Sequence, residues 1–111
     1  MASKAKWISH KTTEKALQSH DKPYIEIWER GELQVELYEP RGEDRQTPHT
    51  RDEVYIVVKG SGDFMCFGEA NPFVAGDVLF APAHAEHRFL DFTDDLSVWV
   101  IFYGPEDGDK V

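Results

Sequence analysis

Three of the five histidines, His49, His84 and His87, lie in turn segments bordered by prolines, and Glu53 follows the first of them by four residues. Neutral imidazoles joined to one carboxylate suit first-row divalent metals and leave coordination positions open for water or substrate. Four residues of straight strand span about 13 Å at roughly 3.3 Å each, so His49 and Glu53 share an ion only if the chain bends between them. Pro48 on one side and the β-branched run Val54, Ile56, Val57 and Val58 on the other oppose a helix there. A turn through Thr50, Arg51 and Asp52 between paired strands is the better solution. His10 and His20 read as surface residues, and Cys66 as a small, partly apolar strand residue with no base beside it in sequence.

The elements that have to position these groups are mostly short strands. Helix formers cluster between Thr12 and His20, with a threonine cap at the start and Asp21, Lys22 and Pro23 at the end, which predicts one short N-terminal helix. From Tyr24 the period becomes two: Ile25 and Ile27, then Leu33, Val35 and Leu37, alternate with other residues on either side of an Arg30-Gly31-Glu32 turn. Residues 40–48 are polar and read as an exposed loop. Further strands are expected over Glu53–Lys59, Phe64–Phe67, Val78–Phe80, Arg88–Phe92 and Leu96–Tyr103, with Gly68–Pro72 ending one of them as a turn. Turn signals between many short strands point to an antiparallel sandwich or barrel, and the lack of long helical patterns opposes a parallel βαβ sheet.

The chain has 111 residues, room for a single domain and a single core. Twelve Lys and Arg against twenty-one Asp and Glu give a net charge of -9, which repels nucleic acid and anionic membrane surfaces. A hydrophobic content of 41% excludes a disordered chain, and no stretch reaches the roughly 18 apolar residues of a membrane span. The single cysteine excludes an internal disulfide, and no apolar signal-peptide core follows the N-terminus, so the expected location is the cytoplasm. Residues 1–23 read as an N-terminal extension, 24–104 as the β-barrel and 105–111 as an acidic, flexible, solvated tail.

Wider spacing joins the site residues into two blocks. Gly42, His49, Glu53 and Gly60 form the first, and Gly76, Pro82, His87 and Asp91 the second, with the fifteen residues 61–75 between them. Together they resemble the two sequence motifs of the cupin superfamily, and the match extends from about Gly42 to Asp91. The resemblance implies an all-β fold, a small double-stranded β-helix or jelly-roll barrel carrying one short N-terminal helix. It implies one divalent metal ion, whether iron, manganese, nickel or zinc, held by His49, Glu53 and His87. Thr47 stands where the family's first motif has another histidine, His84 replaces a glycine of the second motif, and Asp91 stands where asparagine is common. A fourth ligand is then water, Gln46, Thr47 or His84.

By strand parity with the implied ligands, Tyr55, Phe89 and Asp91 face the same interior; Arg51 reads most simply as a turn residue, with holding a substrate carboxylate at the barrel mouth as its alternative, and these four are the candidate substrate pocket. The resemblance is compatible with three kinds of protein. One is a metal-dependent enzyme on a small organic molecule, dioxygenase-like in first preference, since an open two-histidine, one-carboxylate site suits ferrous iron, with isomerase or decarboxylase chemistry as alternatives. The second is a small-molecule-binding cupin without turnover, and the third an interaction module. Cupins commonly pair as homodimers, for which the apolar face of the 24–38 hairpin offers a surface.

Overall fold

The computed structural model describes residues 4–110. One helix, α1 (His10–Gln18), precedes eight strands: β1 (Tyr24–Arg30), β2 (Leu33–Tyr38), β3 (Asp52–Lys59), β4 (Gly62–Cys66), β5 (Glu69–Phe73), β6 (Val78–Ala81), β7 (His87–Leu90) and β8 (Ser97–Tyr103). The strands form two antiparallel sheets, β1-β2-β8-β3-β6 and β5-β4-β7. No helix among the described residues is long and apolar enough to cross a membrane.

The sheets face each other across a core of Tyr38, Tyr55, Val57, Phe64, Phe73, Ala81, Phe89, Leu96, Val98, Val100 and Phe102. Phe89 is its hub, with Tyr55, Phe64 and Phe73 at ring-centroid separations of 5.1, 5.4 and 5.4 Å, within the favourable range for tilted aromatic pairs. Register fixes which residues look inward: Gln34, Glu36 and Tyr38 of β2 pair with Phe102, Val100 and Val98 of β8, which pair in turn with Glu53, Tyr55 and Val57 of β3. Partners in register share a face, so β2 turns its polar set inward and Val35 and Leu37 outward. Leu37 is nevertheless fully buried, as is Leu17 of α1, and neither belongs to the core between the sheets. The helix therefore covers part of the hairpin's outer face, the face that the sequence alone leaves free for a second copy.

Several boundaries differ from the sequence expectation. The helix starts at His10 because Ser9, in extended conformation, caps it by accepting from the Thr12 N–H, leaving Thr12 inside the first turn. Glu69–Phe73 is a strand rather than a turn, with Pro72 opposite Asp63. Proline is tolerated because β5 is the sheet edge, where a missing N–H breaks no ladder. Within the tail, residues 105–110 are tied down: Asp107 donates its N–H to the Thr50 carbonyl at 2.6 Å and Asp109 to Asp52 Oδ2 at 3.0 Å. Asp52 itself is buried and also accepts from Ala83 N at 2.9 Å, so one carboxylate holds the start of β3, the 82–86 turn and the tail.

Gly60, which closes β3, has φ +93°, and a Cβ there would stand 2.7 Å from Thr93 Oγ1 and 2.8 Å from the Leu96 Cα. Gly31 in the β1-β2 turn has φ +58° and nothing within 4 Å of such an atom. Gly31→Ala should therefore cost about 1 kcal/mol from backbone strain alone, whereas Gly60→Ala should cost more than about 2 kcal/mol because backbone must move as well. Denaturant titration of both variants checks the ordering; equal losses would contradict the steric account.

Candidate metal centre

Glu53 is the second residue of β3, on the inner face between Phe102 and Ala81. His87 begins β7 in the opposing sheet, in register with Cys66. His49 lies in the loop before β3, which bends through residues 50 and 51 and brings its Nε2 to 3.9 Å from Glu53 Oε1. The His84 N–H donates to the His49 carbonyl at 2.6 Å, tying the loop to the turn that precedes β7. His87 Nε2 stands 2.6 Å from the same Glu53 oxygen, and one ligating atom from each of the three residues lies within 4.8 Å of the others. The two sheets thus supply one candidate ligand each, and the loop supplies the third.

The donor set fits a metal ion on an observation independent of spacing. Glu53 is 1% exposed, yet neither of its oxygens makes a well-aligned hydrogen bond, and His87 Nε2 is equally unpartnered despite its short separation from Oε1. Buried polar groups are seldom left so, because each unsatisfied one costs about 1–3 kcal/mol. His87 Nδ1 donates to the Ala85 carbonyl at 2.8 Å, which places the proton there in the neutral ring and leaves the Nε2 lone pair facing Glu53. Burial lowers the pKa of His49 from its ordinary value, against the Glu53 charge and with that of His87. For His87 burial also acts downward, but the Glu53 carboxylate and the Ala85 carbonyl outweigh it and the net direction is up. The His49 side chain is 35% exposed while those of Glu53 and His87 are 1%, so the cluster opens on one side only.

That side meets a cleft of about 1150 Å³ lined by Gln34, Glu36, Tyr38, His49, Arg51 and Phe102, among others. Arg51 sits over the Phe102 ring and donates to the Glu32 carbonyl and to Gln34 Oε1. Thr47 and Gln46 line the cleft too, Gln46 with its amide committed: its N–H2 donates to Asp44 Oδ2 at 2.8 Å and its oxygen accepts from the Tyr55 hydroxyl at 2.7 Å. Three expectations are corrected. His84 stands outside the cluster, exposed at φ +67° with its Nε2 2.7 Å from Asp107 Oδ1, because the turn before β7 directs it to solvent. Asp91 is exposed, since β7 ends at Leu90 and Asp91 at φ +50° leaves the strand alternation. Phe89 and Tyr55 do face inward, but Phe89 is core rather than cleft wall, and Tyr55 reaches the site only through its hydroxyl.

Two acidic residues escape a sequence reading. Asp44 lies in a polar loop but is 7% exposed, accepting from Tyr38 Oη at 2.6 Å, Gln46 N at 3.0 Å and Phe89 N at 2.7 Å. It fastens the loop that carries His49 to both sheets. Glu36 sits on the polar set of an alternating strand, normally the solvent side, and only the register with β8 turns it inward.

A family model of the cupin domain matches residues 34–102. An uncharacterized protein of Streptomyces coelicolor is 33% identical over 90 residues, covering 79% of this chain and 86% of its own length. Among solved structures, a cupin-2 domain containing protein from Shewanella frigidimarina is similar with a TM-score of 0.67 at 22% identity, over 85% of this chain and 91% of its own. Protein NMB1881 from Neisseria meningitidis gives 0.70 at 19% identity, over 89% and 100%. KdgF from Halomonas sp. gives 0.64 at 21%, over 76% and 82%.

Burial first, then the charges of Glu26 and Glu53, push the Glu36 carboxyl from 4.5 up to about 7. The folded chain then holds this proton more tightly than the unfolded one, so stability falls as pH rises between those two values. Glu36→Gln should match the wild type near pH 4 and exceed it by about 1–3 kcal/mol near pH 8. Denaturant titrations at both pH values test this; an unchanged difference between them would place the Glu36 carboxyl in water.

Proposed function

The chain belongs to the cupin superfamily, and we propose that it holds one divalent metal ion between its sheets and binds a small organic molecule on the ion's open side. His49, Glu53 and His87 are the ligands in this reading. The observation that carries it is the buried Glu53 carboxylate, which lacks an aligned hydrogen bond and stands 2.6 Å from the equally buried Nε2 of His87. When bound, such an ion supplies Lewis acidity toward a substrate oxygen or, as ferrous iron, a site for dioxygen, which makes dioxygenase-like chemistry the favoured form of the activity.

The chain's own residues then have defined work. The Ala85 carbonyl holds the His87 ring in its ligating tautomer, and Asp44 keeps the loop of His49 against the barrel. Phe102 and Val100 give the cleft an apolar floor, and Arg51 brings a positive charge to its rim, which suits a carboxylate-bearing substrate. A non-catalytic binding role is the second reading, favoured by Thr47 in place of a nitrogen donor, which reduces the protein ligands to three.

Elemental analysis of tag-free protein prepared without chelator tests the metal. Wild type should carry, or take up, one equivalent of iron, manganese, nickel or zinc in the barrel, and His49→Ala and His87→Ala should each weaken it by more than about 100-fold. A metal content in both variants equal to that of the wild type, or a wild type that refuses added ions, would end this reading. Oxygen consumption by the iron-loaded protein over a panel of small carboxylic acids then separates turnover from binding.

A further inference from the structure

A second cluster of ligating side chains lies outside the barrel site, beneath α1. His10 and Glu14 are separated by four residues on the helix and so project from one face, a spacing that lets both reach a common point. Glu39, one residue beyond β2, meets them there: one ligating atom from each of the three residues lies within 4.8 Å of the others. Each side chain is partly buried. Glu39 Oε2 is shielded from solvent and has no hydrogen-bond partner, while its backbone is held by a 2.8 Å bond from its N–H to the Pro23 carbonyl. The His10 ring is oriented by a 2.8 Å contact of Nε2 with Ser97 Oγ, a residue with no exposure, and lies edge-on to Trp99.

The resident positive charge is Lys59 at the end of β3, whose Nζ stands 2.8 and 2.9 Å from the two Glu14 oxygens. Its charge serves Glu14 directly and leaves Glu39 without a bonded cation. Burial and the neighbouring Glu14 accordingly push the Glu39 carboxyl up to about 7. Burial lowers the pKa of His10, which favours the neutral, ligating imidazole. Two carboxylates and one imidazole against a single, half-exposed ammonium is an arrangement that a dication completes.

We propose that His10, Glu14 and Glu39 form a second divalent-cation site, which fastens α1 to the barrel. A nitrogen and two oxygen donors favour zinc or a similar first-row ion over magnesium or calcium, which prefer all-oxygen sets. Lys59 swings away from Glu14 when the ion enters, an inexpensive movement for a flexible side chain at the surface. The site is independent of the barrel ligands and does not rest on the function proposed above.

Zinc binding to the full chain tests it, with His87→Ala as the background that disables the barrel site. This variant should retain one equivalent of zinc by calorimetry, and α1 amides should exchange hydrogen more slowly when zinc is added. In the same background His10→Ala and, separately, Glu39→Gln should weaken binding by about tenfold or more, and Lys59→Met should strengthen it by removing the competitor. Far-ultraviolet circular dichroism confirms that each variant is folded. A His87→Ala protein that binds no zinc, or binding that neither His10→Ala nor Glu39→Gln weakens, overturns the site. Zinc lost from the wild type with His10→Ala but not with His87→Ala would support this site while refuting the barrel reading, so the two fail separately.

Discussion

The carboxylate of Glu53 is the group to which the rest of the structure answers. Placing an ionisable carboxyl between two sheets is expensive unless a partner of opposite charge or a set of donors compensates it. Two other carboxylates of the molecule show what compensation looks like. Asp44 takes hydrogen bonds from Tyr38, Gln46 and Phe89, and Asp52 from Ala83 and Asp109. Glu53, the least exposed of the three, has no aligned donor and lies beside the imidazoles of His49 and His87. Two buried acids are thus satisfied by donors, and the third lies open toward imidazole nitrogens.

This division of labour explains the architecture near the mouth. Asp44 and Asp52 work at either end of the segment that carries His49, one joining it to β2 and β7, the other to the turn after β6 and to the tail. With both ends held, the bend that brings His49 toward Glu53 is tied down by hydrogen bonds outside the three-residue cluster. The same inward-facing register leaves Gln34 and Glu36 lining the cleft, so the cavity is polar on the β2 side and aromatic at Phe102. Polar residues inside and apolar ones outside is a workable arrangement only because α1 covers Leu37, which makes the helix part of the barrel's stability.

Much of this was legible in local pattern. The alternation of β1 and β2, the β-branched run of β3 and the glycine at the β1-β2 turn depend on neighbours in sequence, and local physical chemistry is enough to read them, whereas His87 joins His49 and Glu53 only through the motif resemblance. Failures came where the deciding neighbour is distant. Pro72 argues against a strand until β5 is known to be an edge. Asp91 continues the parity of His87 until a positive φ takes it out of the sheet. His10 reads as a surface residue until Ser97 and Glu39 are brought beneath the helix.

The amino-acid sequence by itself pointed to a fold of many short antiparallel strands, and its resemblance to the cupin motifs singled out His49, Glu53 and His87. The strands follow from alternation and turn chemistry, which are properties of residues and their immediate neighbours, whereas the trio follows from the resemblance of two motifs far apart in the chain. The tertiary structure decided which face of β2 looks inward, which buried carboxylates find donors, and that Phe89 fills the core while Glu36 lines the cleft. Those outcomes depend on strand register and on the closure of one sheet over another, and a one-residue change of register would reverse every one of them.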